Sequence, residues 1–210
     1  MSAASRAPLR SNTARRTRRR AALLTAGAAA AALALTACSS GGTSGGGGDT
    51  NFVAGSDGID TVEKGDRTAV PDLSGETVDG KQLDIADYKG KIVVLNVWGS
   101  WCSPCRAEAK NLETVYEDTK DQGVEFVGIN TRDTSTGPAL AFEKEYGVTY
   151  PSLYDPTGKL MLRFEKGTLN PQAIPSTLVI DRDGKVAART LQALSEDKLR
   201  DMLAPVLAEK

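Results

Sequence analysis

Histidine is absent from all 210 residues. Without imidazole there is no Ser-His-Asp triad, no Cys–His nucleophile pair and no zinc site that needs a histidine ligand. Cysteine is nearly as scarce: Cys38, Cys102 and Cys105 are the full set, so a four-cysteine metal site is impossible within one chain. Acids and lysine are missing from residues 1–37, which nevertheless hold Arg6, Arg10, Arg15, Arg16, Arg18, Arg19 and Arg20. Setting those seven aside leaves 19 of the 26 bases against 27 acids, a balance of about −8. An acidic body gives no footing to nucleic acid, which needs a basic face. The uncharged stretch 21–37 has 17 residues, short of the roughly 20 of a comfortable transmembrane helix. With 40% apolar and 25% charged side chains, the composition suits one globular domain plus additional segments.

What is present begins with an address. An arginine-rich start, an apolar stretch containing Leu23, Leu24, Leu33 and Leu35, and small residues after it compose a secretory signal over residues 1–37. The stretch runs into Leu35-Thr36-Ala37-Cys38, which resembles the lipobox of bacterial lipoproteins. The resemblance implies that Cys38 is lipidated and anchors the chain on the outer side of a cell membrane. The alternatives are an ordinary cleaved signal or an uncleaved anchor, with Cys38 a bystander. Arg18-Arg19-Arg20 also leaves a twin-arginine export route open. Residues 39–50 are mostly Gly and Ser and cannot build a core, so 38–60 reads as a flexible tether and 61–210 as the folded domain. A lipidated Cys38 has a thioether sulfur, which leaves Cys102 and Cys105 as the free thiols in a compartment that permits disulfides.

Within the domain, residues 70–83 read as a hairpin around Gly75 and Asp79-Gly80. The β-branched run 92–97 reads as a buried strand. Residues 103–120 read as a helix with Ala109, Leu112, Val115 and Tyr116 on one face, stopped by Gly123. A strand at 124–130 and a helix at 139–146 follow, with Pro138 suited to that helix's first turn. Asp183-Gly184 joins strands at 176–181 and 185–190. A last helix starts near Ser195, with a kink or early stop at Pro205. Strands alternating with helices predict an α/β fold, a central mixed sheet flanked by helices, with antiparallel edges from the last hairpin.

Trp98-Gly99-Ser100-Trp101-Cys102-Ser103-Pro104-Cys105 lies where the buried strand passes into a helix. There Cys102 meets free N–H groups and the positive end of the helix dipole, which favour a thiolate. Cys105 follows one turn later on the same face, close enough for a disulfide. A lone CxxC can also be half a metal site or a static staple. No second pair exists to complete a metal site, and Arg106 stands where covalent haem attachment requires histidine. Arg106 otherwise reads as a solvated helix residue, and Trp98 and Trp101 as packing around the pair.

Residues 94–105 together with Ile174-Pro175-Ser176-Thr177 resemble the exported, membrane-tethered proteins of the thioredoxin superfamily typified by TlpA and ResA, over about residues 65–210. The resemblance implies a thioredoxin-like fold with a helix–strand insertion from Val124 to about Tyr150, and thiol–disulfide exchange without cofactor or metal. It implies a cis Pro175 facing the CxxC, with Ile174, Pro175 and Trp101 on the substrate side. It further implies partners: protein dithiol or disulfide substrates, apocytochrome c among them, and a membrane dithiol that supplies electrons. Thioredoxin's buried aspartate is replaced by Asn96, and the acid after the inserted strand is Asp133, expected as the proton relay for Cys105. The reducing direction is the first reading; a disulfide-forming oxidase, a redoxin-type peroxidase and a non-catalytic tethered module are the rivals.

Overall fold

The computed structural model describes residues 50–55 and 57–209; Cys38, the signal and the Gly/Ser stretch lie outside them. The chain forms β1 (Val53–Ala54), β2 (Ile59–Thr61), β3 (Ser74–Glu76), β4 (Gln82–Asp84), β5 (Ile92–Trp98), α1 (Ser103–Thr119), β6 (Val124–Thr131), α2 (Thr136–Tyr146), β7 (Ser152–Asp155), β8 (Ser176–Ile180), β9 (Val186–Thr190) and α3 (Glu196–Leu207). Seven strands make one sheet in the order β1-β2-β9-β8-β5-β6-β7, and β3 pairs with β4 separately. The mixed, helix-flanked α/β sheet expected from the sequence is therefore present.

β5 lies inside the sheet because every one of its residues is buried, as its unbroken apolar run requires. It pairs in parallel with β6 and antiparallel with β8. A parallel neighbour needs a crossover, which α1 provides between β5 and β6. The side-chain alternation of β5 divides the interior. Ile92 and Val94 face Leu112 and Val115 of α1 and Leu199, Met202 and Leu203 of α3. Val93, Leu95 and Val97 face Leu73, Leu153, Phe164 and Leu169 on the other side. Trp98, the last residue of β5, joins a third cluster with Cys102, Cys105, Ala109, Ala139 and Phe142. This small core ties the inserted helix α2 to the cysteine pair.

The predicted hairpin at 70–83 is β3–β4, with Gly80 at φ +83° in its turn. Helix α2 starts three residues before Ala139, preceded by Ser135 in extended conformation. Helix α3 is capped by Ser195, whose Oγ accepts from Lys198 N, and ends two residues past Pro205. The stop expected at Pro205 does not occur: the helix carries Pro205 within it and continues to Leu207, with Ala208 N donating to the Ala204 carbonyl, and the missing N–H removes a single ladder bond. One boundary moves. The expected tether up to residue 60 is too long, because Thr50 and Phe52 are buried and β1 and β2 extend the sheet through β9. The folded part reaches back to residue 50.

Candidate active site

The site stands beyond the carboxyl end of β5, where a central strand hands over to a helix. Cys102 is the N-cap of α1, with φ −84° and ψ 110°. Its Sγ accepts the N–H of Cys105 at 3.2 Å, as a capping oxygen would. Pro104 sits in the first turn, where a missing N–H costs nothing. Cys102 and Cys105 are joined as a disulfide, with S–S 2.08 Å and Cα–Cα 5.3 Å. Both are buried, Cys102 at 3% and Cys105 at 1% exposure.

Ile174–Pro175 is a cis peptide, and the Ile174 carbonyl oxygen lies 3.6 Å from Cys102 Sγ. A disulfide sulfur has no proton to donate, so this is a contact; a reduced Cys102 could donate there. Trp101 is 44% exposed beside the pair. Its Nε1 donates to the Thr131 carbonyl at 3.1 Å, and the Arg132 guanidinium lies 5.5 Å from its ring centroid. Arg132 takes φ +60° at the end of β6 and donates to the Pro171 carbonyl. The loop before Cys102 is tightly apposed to β6: a Cβ on Gly99 would fall 2.5 Å from Trp101 Nε1 and 3.0 Å from Thr131 O. Trp98 stacks on Phe142 with centroids 4.4 Å apart and donates to Ser152 Oγ at 3.3 Å.

Asp133 is buried next to the motif, but its carboxyl is committed to the loop. Oδ2 accepts from Ser100 N at 2.9 Å and Asn130 Nδ2 at 2.7 Å, and Oδ1 from Ser100 Oγ at 2.5 Å. The expected relay residue is therefore engaged with Ser100 and Asn130 in this oxidised state. A second carboxyl, which the sequence reading passed over, follows the pair on α1. Glu108 is 1% exposed, one turn after Cys105 on α1. Its Oε1 accepts from Asn96 Nδ2 at 2.9 Å and its Oε2 from Leu194 N at 2.8 Å. Burial pushes its pKa up to about 7, against the lowering effect of those two bonds. Asn96 also donates to Thr177 Oγ1 at 3.0 Å. Asn96 and Cys105 line one small cavity of about 10 Å³ with Trp98 and Phe142, space for about one water. The signal was available: an acid at 108 falls on the apolar stripe of Cys105, Ala109 and Leu112, opposite the amide in an otherwise apolar strand.

Of the expected site residues, Cys102, Cys105, Trp101, Ile174 and Pro175 come together in one place. Asp133 joins them through Ser100, and Cys38 lies outside the described residues.

Comparison with known proteins agrees with this geometry. The AhpC/TSA family profile matches residues 67–189. The thiol-disulfide oxidoreductase ResA of Bacillus subtilis is 32% identical over 133 residues, 63% of this chain and 71% of that protein. A solved DsbF homologue from Corynebacterium diphtheriae superposes with TM-score 0.68 at 36% identity, covering 76% of this chain and 99% of that one. A secreted thiol-disulfide isomerase from Corynebacterium glutamicum gives TM-score 0.69 at 31% identity, covering 78% and 100%. The chain belongs to the AhpC/TSA family and, with its paired cysteines on a thioredoxin-like fold, is a thiol–disulfide oxidoreductase of the ResA type.

Proposed function

We propose that the chain works outside the cytoplasm as a lipid-anchored reductase of protein disulfides, with Cys102 as nucleophile and Cys105 as resolving thiol. The observation that carries this is the position of Cys102 Sγ, at the α1 N-cap and 3.6 Å from the carbonyl that precedes cis Pro175. Helix N–H groups favour its thiolate, and the Ile174 backbone offers an edge to an extended substrate. The Cys102 thiolate attacks one sulfur of a substrate disulfide and displaces the other as a thiolate. Cys105 gives up its proton, attacks Cys102 and releases the second substrate sulfur. The substrate leaves as a dithiol, and the protein is left with the Cys102–Cys105 disulfide. A membrane dithiol carrier then reduces that bond and is itself oxidised to a disulfide.

Glu108 is assigned as the acceptor of the Cys105 proton in place of Asp133. It is coupled to the cavity beside Cys105 through Asn96, and its raised pKa of about 7 suits proton exchange near neutrality. Trp101, Ile174 and Pro175 form the substrate edge. The signal at 1–37, the lipidated Cys38 and the tether are assigned from residue pattern, supported by the description of the C. glutamicum relative as secreted. Apocytochrome c, whose haem-binding cysteines must be reduced before attachment, is the assigned substrate class.

The test is covalent capture. A Cys105→Ser variant is expected to hold a substrate protein on Cys102 as a dithiothreitol-sensitive adduct. The reduction potential is expected nearer that of thioredoxin, about −270 mV, than that of DsbA, about −120 mV. Absence of any adduct, or a potential at the oxidising end, contradicts the reductase reading.

A further inference from the structure

We propose that Asp133 and Arg106 form an opposed-charge clamp on Ser100 that positions Cys102 and sets its affinity for a proton. The proposal rests on the reading of Cys102 as the attacking sulfur. Ser100 stands two residues before Cys102, and all of its polar atoms are engaged. Its N–H donates to Asp133 Oδ2 at 2.9 Å and its hydroxyl to Asp133 Oδ1 at 2.5 Å. Its carbonyl accepts from both Nε and Nη2 of Arg106, at 3.1 and 2.8 Å. The clamp thus joins the loop after β6 to the first turn of α1 across one residue. Cys102 N donates to the Gly99 carbonyl at 3.0 Å, so a fixed Ser100 fixes the cysteine.

Neither end of the clamp is incidental. Asp133 is 5% exposed, Asn130 Nδ2 donates to its carboxyl at 2.7 Å, and Tyr154 OH donates to its backbone carbonyl at 3.0 Å. Arg106 is exposed, yet two N–H groups of its planar fork converge on a single oxygen, which holds the guanidinium at the motif. A cation near a thiol favours the thiolate and an anion opposes it. The two ends therefore act in the same sense on geometry and in opposite senses on charge. Both are positioning residues, because they reach the sulfur through Ser100.

That opposition gives the experiment. The readouts are the Cys102 thiol pKa, from the pH dependence of alkylation, and equilibrium with glutathione. In the latter, one protein disulfide and two glutathione thiols give one protein dithiol and one glutathione disulfide. Asp133→Asn is expected to lower the Cys102 pKa by about 0.5–1 unit, and Arg106→Gln to raise it by a similar amount. The glutathione equilibrium should move about three- to tenfold, toward the dithiol in the first and toward the disulfide in the second. Arg106→Lys, which keeps the charge, should stay near wild type. Shifts of the same sign in Asp133→Asn and Arg106→Gln, or no shift in either, overturn the clamp. Should Asp133→Asn not fold, the exposed position decides alone: Arg106→Gln without effect, or equal to Arg106→Lys, overturns it. A wild-type protein that exchanges nothing with glutathione instead overturns the functional reading beneath.

Discussion

At the scale of the residue, Glu108 sits in an environment at odds with its chemistry. A carboxyl with 1% exposure, on the apolar stripe of α1, accepts two hydrogen bonds and, among the described residues, has no cation against it. Desolvation wins, and its pKa rises from 4.5 to about 7. Below pH 4.5 the group is neutral in both folded and unfolded chains. Between about 4.5 and 7 the unfolded chain loses the proton while the folded one keeps it, so stability falls as pH rises through that window. The loss is of the order of 3 kcal/mol. Glu108→Gln imitates the neutral carboxyl, so urea midpoints at pH 5 and pH 8 should converge for the variant and diverge for wild type. Equal pH slopes would show that Glu108 is not held neutral. Asp133, by contrast, was expected as the relay for Cys105, and its contacts with Ser100 and Asn130 were not legible, because only the folded loop brings Ser100 to it.

At the scale of the element, the packing of Trp98 depends on a glycine in the next strand. A Cβ on Gly128 of β6 would lie 2.7 Å from Trp98 Nε1 and within contact of Ser152 Oγ. Gly128→Ala must push Ser152 or the indole aside, and such overpacking costs about 1–3 kcal/mol. The expected result is a lower denaturation midpoint together with altered tryptophan fluorescence; an unchanged midpoint contradicts it. The elements read from sequence with an apolar signal were β5, β6, α1, α3 and the β8–β9 hairpin, while the β3–β4 hairpin was read from Gly75 and Asp79-Gly80 and α2 was read only from residue 139 onward. The others carry little such signal. β1 has two residues and β2 is Ile59-Asp60-Thr61, placed by pairing with β9 instead of by hydrophobic pattern. In β7 Leu153 carries the large core contact, and Asp155 turns back to accept from Lys159 N and Leu160 N. The first two residues of α2, Thr136-Gly137, are not apolar, so the helix start was placed late.

At the scale of the molecule, charge ties together what is distant in sequence. Arg67 bonds Asp181 at 2.9 Å and Glu209 at 2.6 Å, joining the segment after β2, the β8–β9 turn and the end of α3. Arg189 donates to Asp60 at 2.8 Å and lies 4.1 Å from the Phe52 ring centroid, which seats the beginning of the domain on the sheet. It also donates to the Thr168 carbonyl at 3.1 Å, in the connection that leads to cis Pro175. These ties hold the segment before β3, the β8–β9 hairpin and the connection before cis Pro175 to one sheet. The most direct measurement is alkylation of the fully reduced protein across pH, with each cysteine resolved by mass. Cys102 is expected to react alone, with a midpoint clearly below the ordinary thiol value of about 8.5. A midpoint at or above that value, or Cys105 reacting as fast as Cys102, would contradict the assignment of Cys102 as the attacking sulfur.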